Sequence, residues 1–205
     1  MKNQIINYLD ELFPNPRCEL IYSKDYELLL SVMMSAQTTD KSVNKVTKIL
    51  YKKYNTIELL SEANIEDIIK IIRPIGNYNK KANNIINISK SLIKDYKGLV
   101  PNNRDYLELL PGVGRKTTNV VLSILYNIPC IAVDTHVSRV SKRLGIVADS
   151  DNVLTIEKKL TSYFPKNKLN SLHHQLVLFG RYYCKSINPK CESCKLKNIC
   201  KKNQG

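Results

Sequence analysis

Apolar residues recur at three- and four-residue spacing along almost the whole chain, and no convincing run of strict apolar–polar alternation interrupts them. That period belongs to one-sided helices, whereas half-buried strands alternate every second residue. The chain is therefore expected to be all-α, with about ten helices joined by short loops. Ile5, Ile6, Leu9, Leu12 and Phe13 mark a first helix, which Pro14 and Pro16 stop. Residues 26–35 are strongly apolar and predict a buried helix. Thr39 or Asp40 can cap the next helix, and Asn64 a short one ending near Ile72. Further helices are expected over 82–96, from Arg115 onward, over 135–144 (closed by Gly145), over 152–163 and over 169–183.

The 205 residues allow one domain or two small ones with a real core. Lys and Arg number 32 against 18 Asp and Glu, a formal charge of +14. Such an excess attracts polyanions. The chain is also rich in Lys, Asn and Ile, a bias that genome composition alone can produce, so the charge supports nucleic-acid binding without proving it. The N-terminus lacks the apolar run of a secretory signal, and no stretch approaches the ~20 apolar residues of a membrane span. The expectation is a cytoplasmic protein with no membrane partner. Six cysteines in such a chain point to metal or chemistry before disulfides.

The segment Leu110-Pro111-Gly112-Val113-Gly114-Arg115-Lys116 is a tight glycine turn that opens into a helix with a lysine in its first turn. Gly112 and Gly114 are expected to permit positive φ and to clear space for close approach. Pro111 biases Leu110 away from helical backbone. The N–H groups of the turn and helix start then form a ready anion site. An ordinary helix start with a solvated lysine is the plain alternative.

Eighteen residues after Lys116, the run Ile131-Ala132-Val133 delivers Asp134 to the start of another helix. An N-cap is sufficient reason for an aspartate there, and a capping carboxylate also stays ionised beside N–H donors. Beside a phosphate-binding turn, an amine can attack the anomeric carbon of a nucleoside and form a Schiff base. A carboxylate can steady the oxocarbenium-like charge that builds as the base departs. The amine must be unprotonated to react; a helix N-terminus, the neighbouring Arg115 and desolvation by bound DNA all disfavour an ammonium.

Cys184, Cys191, Cys194 and Cys200 stand in a C-x6-C-x2-C-x5-C pattern. One C-x2-C knuckle with two longer arms fits a [4Fe–4S] cluster or a structural zinc site about equally well. The loop carries Lys185, Lys190, Lys195 and Lys197 against Glu192 alone, and reads as a second phosphate contact or as a solvated tail.

Taken together, Ser35-Ala36-Gln37-Thr38-Thr39-Asp40, Leu110 to Val121, Ala132 to His136, His173-His174, Gly180-Arg181-Tyr182 and the four ordered cysteines closely resemble the endonuclease III family. These are bacterial helix-hairpin-helix DNA glycosylases with AP-lyase activity. The resemblance implies a six-helix barrel domain over 21–129 that carries the hairpin. A second helical domain from 1–20 and 130–205 would hold the iron–sulfur loop at 184–200. It makes Lys116 the Schiff-base nucleophile, Asp134 the catalytic carboxylate, and the four cysteines the ligands of a [4Fe–4S] cluster. It places DNA contacts at Gln37, Asn77, Pro111, Gly112, Val113, Gly114, Arg115, Thr117, His136, Lys185 and Lys190. The implied partner is damaged double-stranded DNA, bound by a monomer at the nucleoid. The substrates would be oxidised or ring-fragmented pyrimidines, whose nucleotide must leave the stack to be reached. Asn77 departs from the pattern, because the family often has a bulky leucine there, an apolar wedge in the duplex. His136 can contact substrate or be structural. The nearest rival is a mismatch-directed adenine glycosylase, whose members usually lack the lysine and carry an added C-terminal domain. The rival of another class is a non-catalytic, metal-stapled DNA-binding module.

Overall fold

The protein's structure, a computed structural model, describes residues 1–203, and among them eleven α-helices and no strand form. The chain divides into two compact units, one from Glu19–Tyr126 and one from Met1–Cys18 with Asn127 onward.

In the Glu19–Tyr126 unit the helices are α2 (Asp25–Met34), α3 (Asp40–Lys53), α4 (Ile57–Ser61), α5 (Ile65–Ile72), α6 (Tyr78–Tyr96), α7 (Arg104–Leu109) and α8 (Arg115–Tyr126). Leu28, Leu29, Leu30, Met33 and Met34 of α2 are all within 2% of complete burial. Each such side chain contributes about 1.5–3 kcal/mol of transfer energy, so α2 is the axis of this unit. It packs on α3, α6 and α8, while α6 also receives α4 and α5. Thr39, not Asp40, caps α3 through an oxygen that accepts from Ser42 N–H, and Asn64 caps α5.

The other unit holds α1 (Lys2–Leu12), α9 (Thr135–Arg143), α10 (Val153–Tyr163) and α11 (Leu169–Tyr182), with α11 packed against both α1 and α9. Its core joins Ile5 and Leu9 of α1 to Val137, Val140, Leu160, Leu172 and Leu176. Asp10 ties α1 to the α11 end of this unit, accepting from Lys168 Nζ and Gln175 Nε2 at 2.9 Å each.

Two short helices, α4 and α7, have five and six residues and are too brief for periodicity to reveal. Thr56 and Asn103 cap them. Helix α6 begins at Tyr78, four residues before the first apolar position of its stripe, because its first turn is polar in sequence.

Candidate functional site

The glycine turn joins α7 to α8. Leu110 is extended (φ −67°, ψ 142°), as the following proline requires, and Val113 N–H closes the turn on Leu110 C=O at 3.1 Å. Leu110 and Val113 are 5% and 3% exposed and anchor the turn from below. Gly112 has φ 78°, and a Cβ there would meet Asn84 Nδ2 of α6 at 2.3 Å. Gly114 does not have positive φ, contrary to the expectation for both glycines. An added Cβ at Gly114 meets nothing within 4 Å, so nothing in the protein itself requires glycine at that position. Arg115 and Lys116 are exposed and Thr117 half-buried, in the first turn of α8. Lys116 is thus open to solvent.

In the same unit, Gln37 and Asn77 are exposed and both hold left-handed backbone, with φ 56° and 57°. Asn77 Nδ2 donates to Gln37 Oε1 at 3.2 Å. Lys81 is 5% exposed and donates its Nζ hydrogens to Ala36 C=O at 2.8 Å and Thr38 Oγ1 at 3.0 Å. Burial pushes the Lys81 amine below its usual value.

In the other unit, Asp134 is the N-cap of α9, its Oδ1 accepting from Val137 N–H at 2.8 Å. The capping explanation therefore holds, and it occupies one carboxylate oxygen while Oδ2 lies outside the cap. His136, half-buried, meets Arg139 Nη2 through Nδ1 at 3.2 Å. A Cβ on Gly180 of α11 would sit 2.8 Å from His136 Cβ, so glycine lets α9 and α11 cross closely.

Cys184, Cys191, Cys194 and Cys200 line one pocket with Leu144, Phe179, Tyr183 and Leu196. Arg143 Nη1 lies 3.4 Å from Cys184 Sγ and also donates to Lys185 C=O at 2.6 Å. Burial pushes the Cys194 thiol up, and the neighbouring Cys184, Cys200 and Cys191 push the same way. Among the described residues, no three His, Cys, Asp or Glu side chains draw together around a single ion. Lys195 pairs with Glu11 of α1 at 2.5 Å, and Lys197 with Glu192 at 3.5 Å. Lys190 Nζ lies over the Tyr183 ring, 4.8 Å from its centroid, and Lys185 is exposed.

The family profile for the HhH-GPD superfamily of base excision DNA repair proteins matches residues 30–166. Endonuclease III of Bacillus subtilis (strain 168) is 47% identical over 199 residues, covering 97% of this chain and 91% of that protein. Endonuclease III of Rickettsia prowazekii (strain Madrid E) is 47% identical over 204 residues, covering 98% and 96%. The chain belongs to the endonuclease III family. A solved endonuclease III–DNA structure, described as a trapped covalent intermediate in an estranged-adenine complex, superposes with a TM-score of 0.93 at 47% identity. That match covers 100% of this chain and 97% of the other. This endonuclease III homologue is therefore an enzyme of base excision DNA repair.

Within this endonuclease III fold, the structure keeps together residues that the sequence had grouped and joins two that it had treated separately. The four cysteines share one pocket, and the side chains of Gln37 and Asn77 meet directly. Sequence reading missed Lys81. Its signal was faint: a lysine at the inward phase of the α6 stripe, one residue before buried Ala82.

Proposed function

We propose that this protein is a bifunctional DNA glycosylase and AP lyase. It removes oxidised or ring-fragmented pyrimidines from duplex DNA and then cuts the strand 3′ to the abasic site by β-elimination. The observation that carries the reading is the Leu110–Lys116 turn. Gly114 serves no need inside the fold, which suits close approach by a phosphate, and the exposed amine of Lys116 follows in the first turn of α8. The trapped covalent DNA complex of a 47% identical relative supports it.

In this mechanism the unprotonated Lys116 nitrogen attacks C1′ of a nucleotide extruded from the stack. The bond from C1′ to the base breaks, and the base leaves with the electron pair and takes up a proton from water. Opening of the C1′–O4′ bond, with a proton passing from nitrogen to O4′, gives the Schiff base. Loss of a proton from C2′ then expels the 3′ phosphate oxygen, and hydrolysis of the imine returns the amine. Because Lys116 is exposed, bound DNA must exclude the water that would keep the amine charged. Asp134, fixed by its cap, supplies negative charge where the sugar becomes cationic. Pro111 to Arg115 and Thr117 hold the backbone of the duplex through N–H groups and charge; Gln37, Asn77, His136, Lys185 and Lys190 complete the contacts. The Glu19–Tyr126 unit is proposed as the barrel domain that carries the hairpin, and the other unit as the cluster domain.

Cys184, Cys191, Cys194 and Cys200 are proposed to hold a [4Fe–4S] cluster. The fit rests on four cysteines around one apolar-walled pocket and a guanidinium that donates toward Cys184 sulfur. The Cys194 thiol, which burial and the neighbouring cysteines push up, needs a cationic centre to ionise. When bound, the cluster would pin the basic loop of Lys185 and Lys190. The enzyme is proposed to act as a cytoplasmic, nucleoid-associated monomer.

Borohydride reduction tests the reading. The protein should become covalently linked to abasic-site DNA, and Lys116→Ala should abolish the link. A link of undiminished yield in that variant would remove Lys116 from its role. The purified protein should be yellow-brown and contain iron and acid-labile sulfide; a colourless protein with stoichiometric zinc would overturn the cluster.

A further inference from the structure

Gln37 and Asn77 lie forty positions apart, yet both hold left-handed backbone and their side chains bond to each other at 3.2 Å. Glutamine rarely adopts that backbone, and such strain persists only where the surroundings over-determine it. Asparagine at a helix start usually caps the helix. Asn77 stands at the N-cap of α6 but makes no side-chain cap bond; its amide goes to Gln37 instead.

One turn further along α6, Lys81 supplies the constraint. Its buried ammonium takes Ala36 C=O and Thr38 Oγ1, the residues on either side of Gln37. A buried charge requires such partners, so the lysine and the strained loop stabilise one another. The same helix supports the hairpin, because Asn84 lies directly beneath Gly112. Seven residues of helix separate Asn77 from Asn84, about 10.5 Å of rise, or about three base steps. One rigid element therefore sets the spacing between an anion-binding turn and an exposed amide pair.

Extrusion of a nucleotide leaves its partner base without hydrogen bonds. Side-chain amides satisfy base edges with one donor and one acceptor. The Asn77–Gln37 bond takes one of the two Asn77 Nδ2 hydrogens and one lone pair of Gln37 Oε1, while Asn77 Oδ1 as acceptor and Gln37 Nε2 as donor stand outside it. We propose that Gln37 and Asn77 act as one amide unit that hydrogen-bonds the base left opposite the extruded nucleotide, with Lys81 as the positioning residue that holds this unit. The inference rests on the reading of the protein as a base-extruding glycosylase. An apolar side chain at position 77 would offer the opposite base no hydrogen bond and would leave the Gln37 amide free to turn over.

The test is single-turnover excision from duplexes carrying one thymine glycol opposite each of the four bases, and opposite a tetrahydrofuran residue that has no base. The wild-type enzyme should excise faster opposite a base than opposite tetrahydrofuran by about tenfold, and Asn77→Leu should compress that ratio to about twofold. Gln37→Ala and Asn77→Ala should be non-additive, the double variant losing little more than either alone. Lys81→Met should compress the same ratio while binding to undamaged duplex stays within about threefold. General destabilisation would slow every substrate equally and leave the ratio intact. If Lys81→Met does not fold, Thr38→Val, which removes one acceptor from the ammonium, should compress the ratio in the same direction. A wild-type enzyme active on the lesion but with additive losses and a ratio unmoved by Asn77→Leu and by the position 81 or 38 variant overturns this proposal alone. A wild-type enzyme that excises no lesion in any duplex overturns the glycosylase reading beneath it.

Discussion

A Cβ on Gly112 would stand 2.3 Å from Asn84 Nδ2, whereas a Cβ on Gly114 would meet nothing within 4 Å. The two glycines of the hairpin therefore answer to different demands. Gly112→Ala adds left-handed strain and a clash with a buried side chain, and should cost about 2–4 kcal/mol of stability. Gly114→Ala should leave stability within about 0.5 kcal/mol and weaken duplex binding about tenfold, because only an approaching phosphate meets the new methyl. Thermal melting and DNA titration of the two variants separate these outcomes; equal melting losses would place the demand for Gly114 inside the fold.

Asp134 carries a structural duty and a proposed chemical one, and two substitutions divide them. Asparagine caps a helix about as well as aspartate, while alanine forfeits about 0.5–2 kcal/mol. Asp134→Asn should therefore melt like the wild type yet release base at least about 100-fold more slowly, with duplex affinity nearly unchanged. Equal losses in binding and base release would reduce Asp134 to a cap.

Gly180 sets how closely α9 and α11 approach, since a methyl there would press on His136 Cβ at 2.8 Å and on its backbone at 3.2 Å. Gly180→Ala should destabilise the protein by about 1–3 kcal/mol through overpacking. Gly180→Ser should be at least as costly. A melting temperature unchanged in both would show that the helices separate without penalty.

The acid limb of stability should depend on Asp10. Burial alone would raise its carboxyl, but hydrogen bonds from Gln175 and Lys168 outweigh burial and hold it below the ordinary range. A carboxyl depressed in the folded state stabilises fully above its unfolded value, and that contribution is lost as pH falls through the folded one. With its side chain 38% exposed, the effect is modest. Asp10→Asn should lower the melting temperature slightly near pH 7 and not below about pH 3, measured by thermal melts across pH. A loss that persisted undiminished at the lowest pH would assign it to hydrogen bonding rather than to charge.

Much of the site was legible because its signals are local. Pro111 and Gly112 dictate the Leu110–Gly114 turn through steric rules acting over a few residues. Asp134 before a helical stripe announces a cap, and the cysteine spacing groups four residues that line one pocket, by short-range geometry alone. The two brief helices escaped because a helix of one or two turns shows no period, and the difference between Gly112 and Gly114 escaped because it lies in the φ of the folded turn and in Asn84 and Met33, far along the chain, which pack under Gly112 alone.

By itself, then, the sequence determined the helical class, the family and the residue types that can do chemistry, since period, turn stereochemistry and motif spacing are encoded over a few neighbouring positions. Tertiary structure alone decided which lysines are spoken for. Lys195 is neutralised by Glu11, 184 positions away, and Lys81 is buried against the Gln37 loop, 43 and 45 positions away, while Lys116 stands open to solvent. In sequence these are all basic residues. The fold separates them, because desolvation and ion pairing depend on what long-range packing places within a few ångströms of each ammonium.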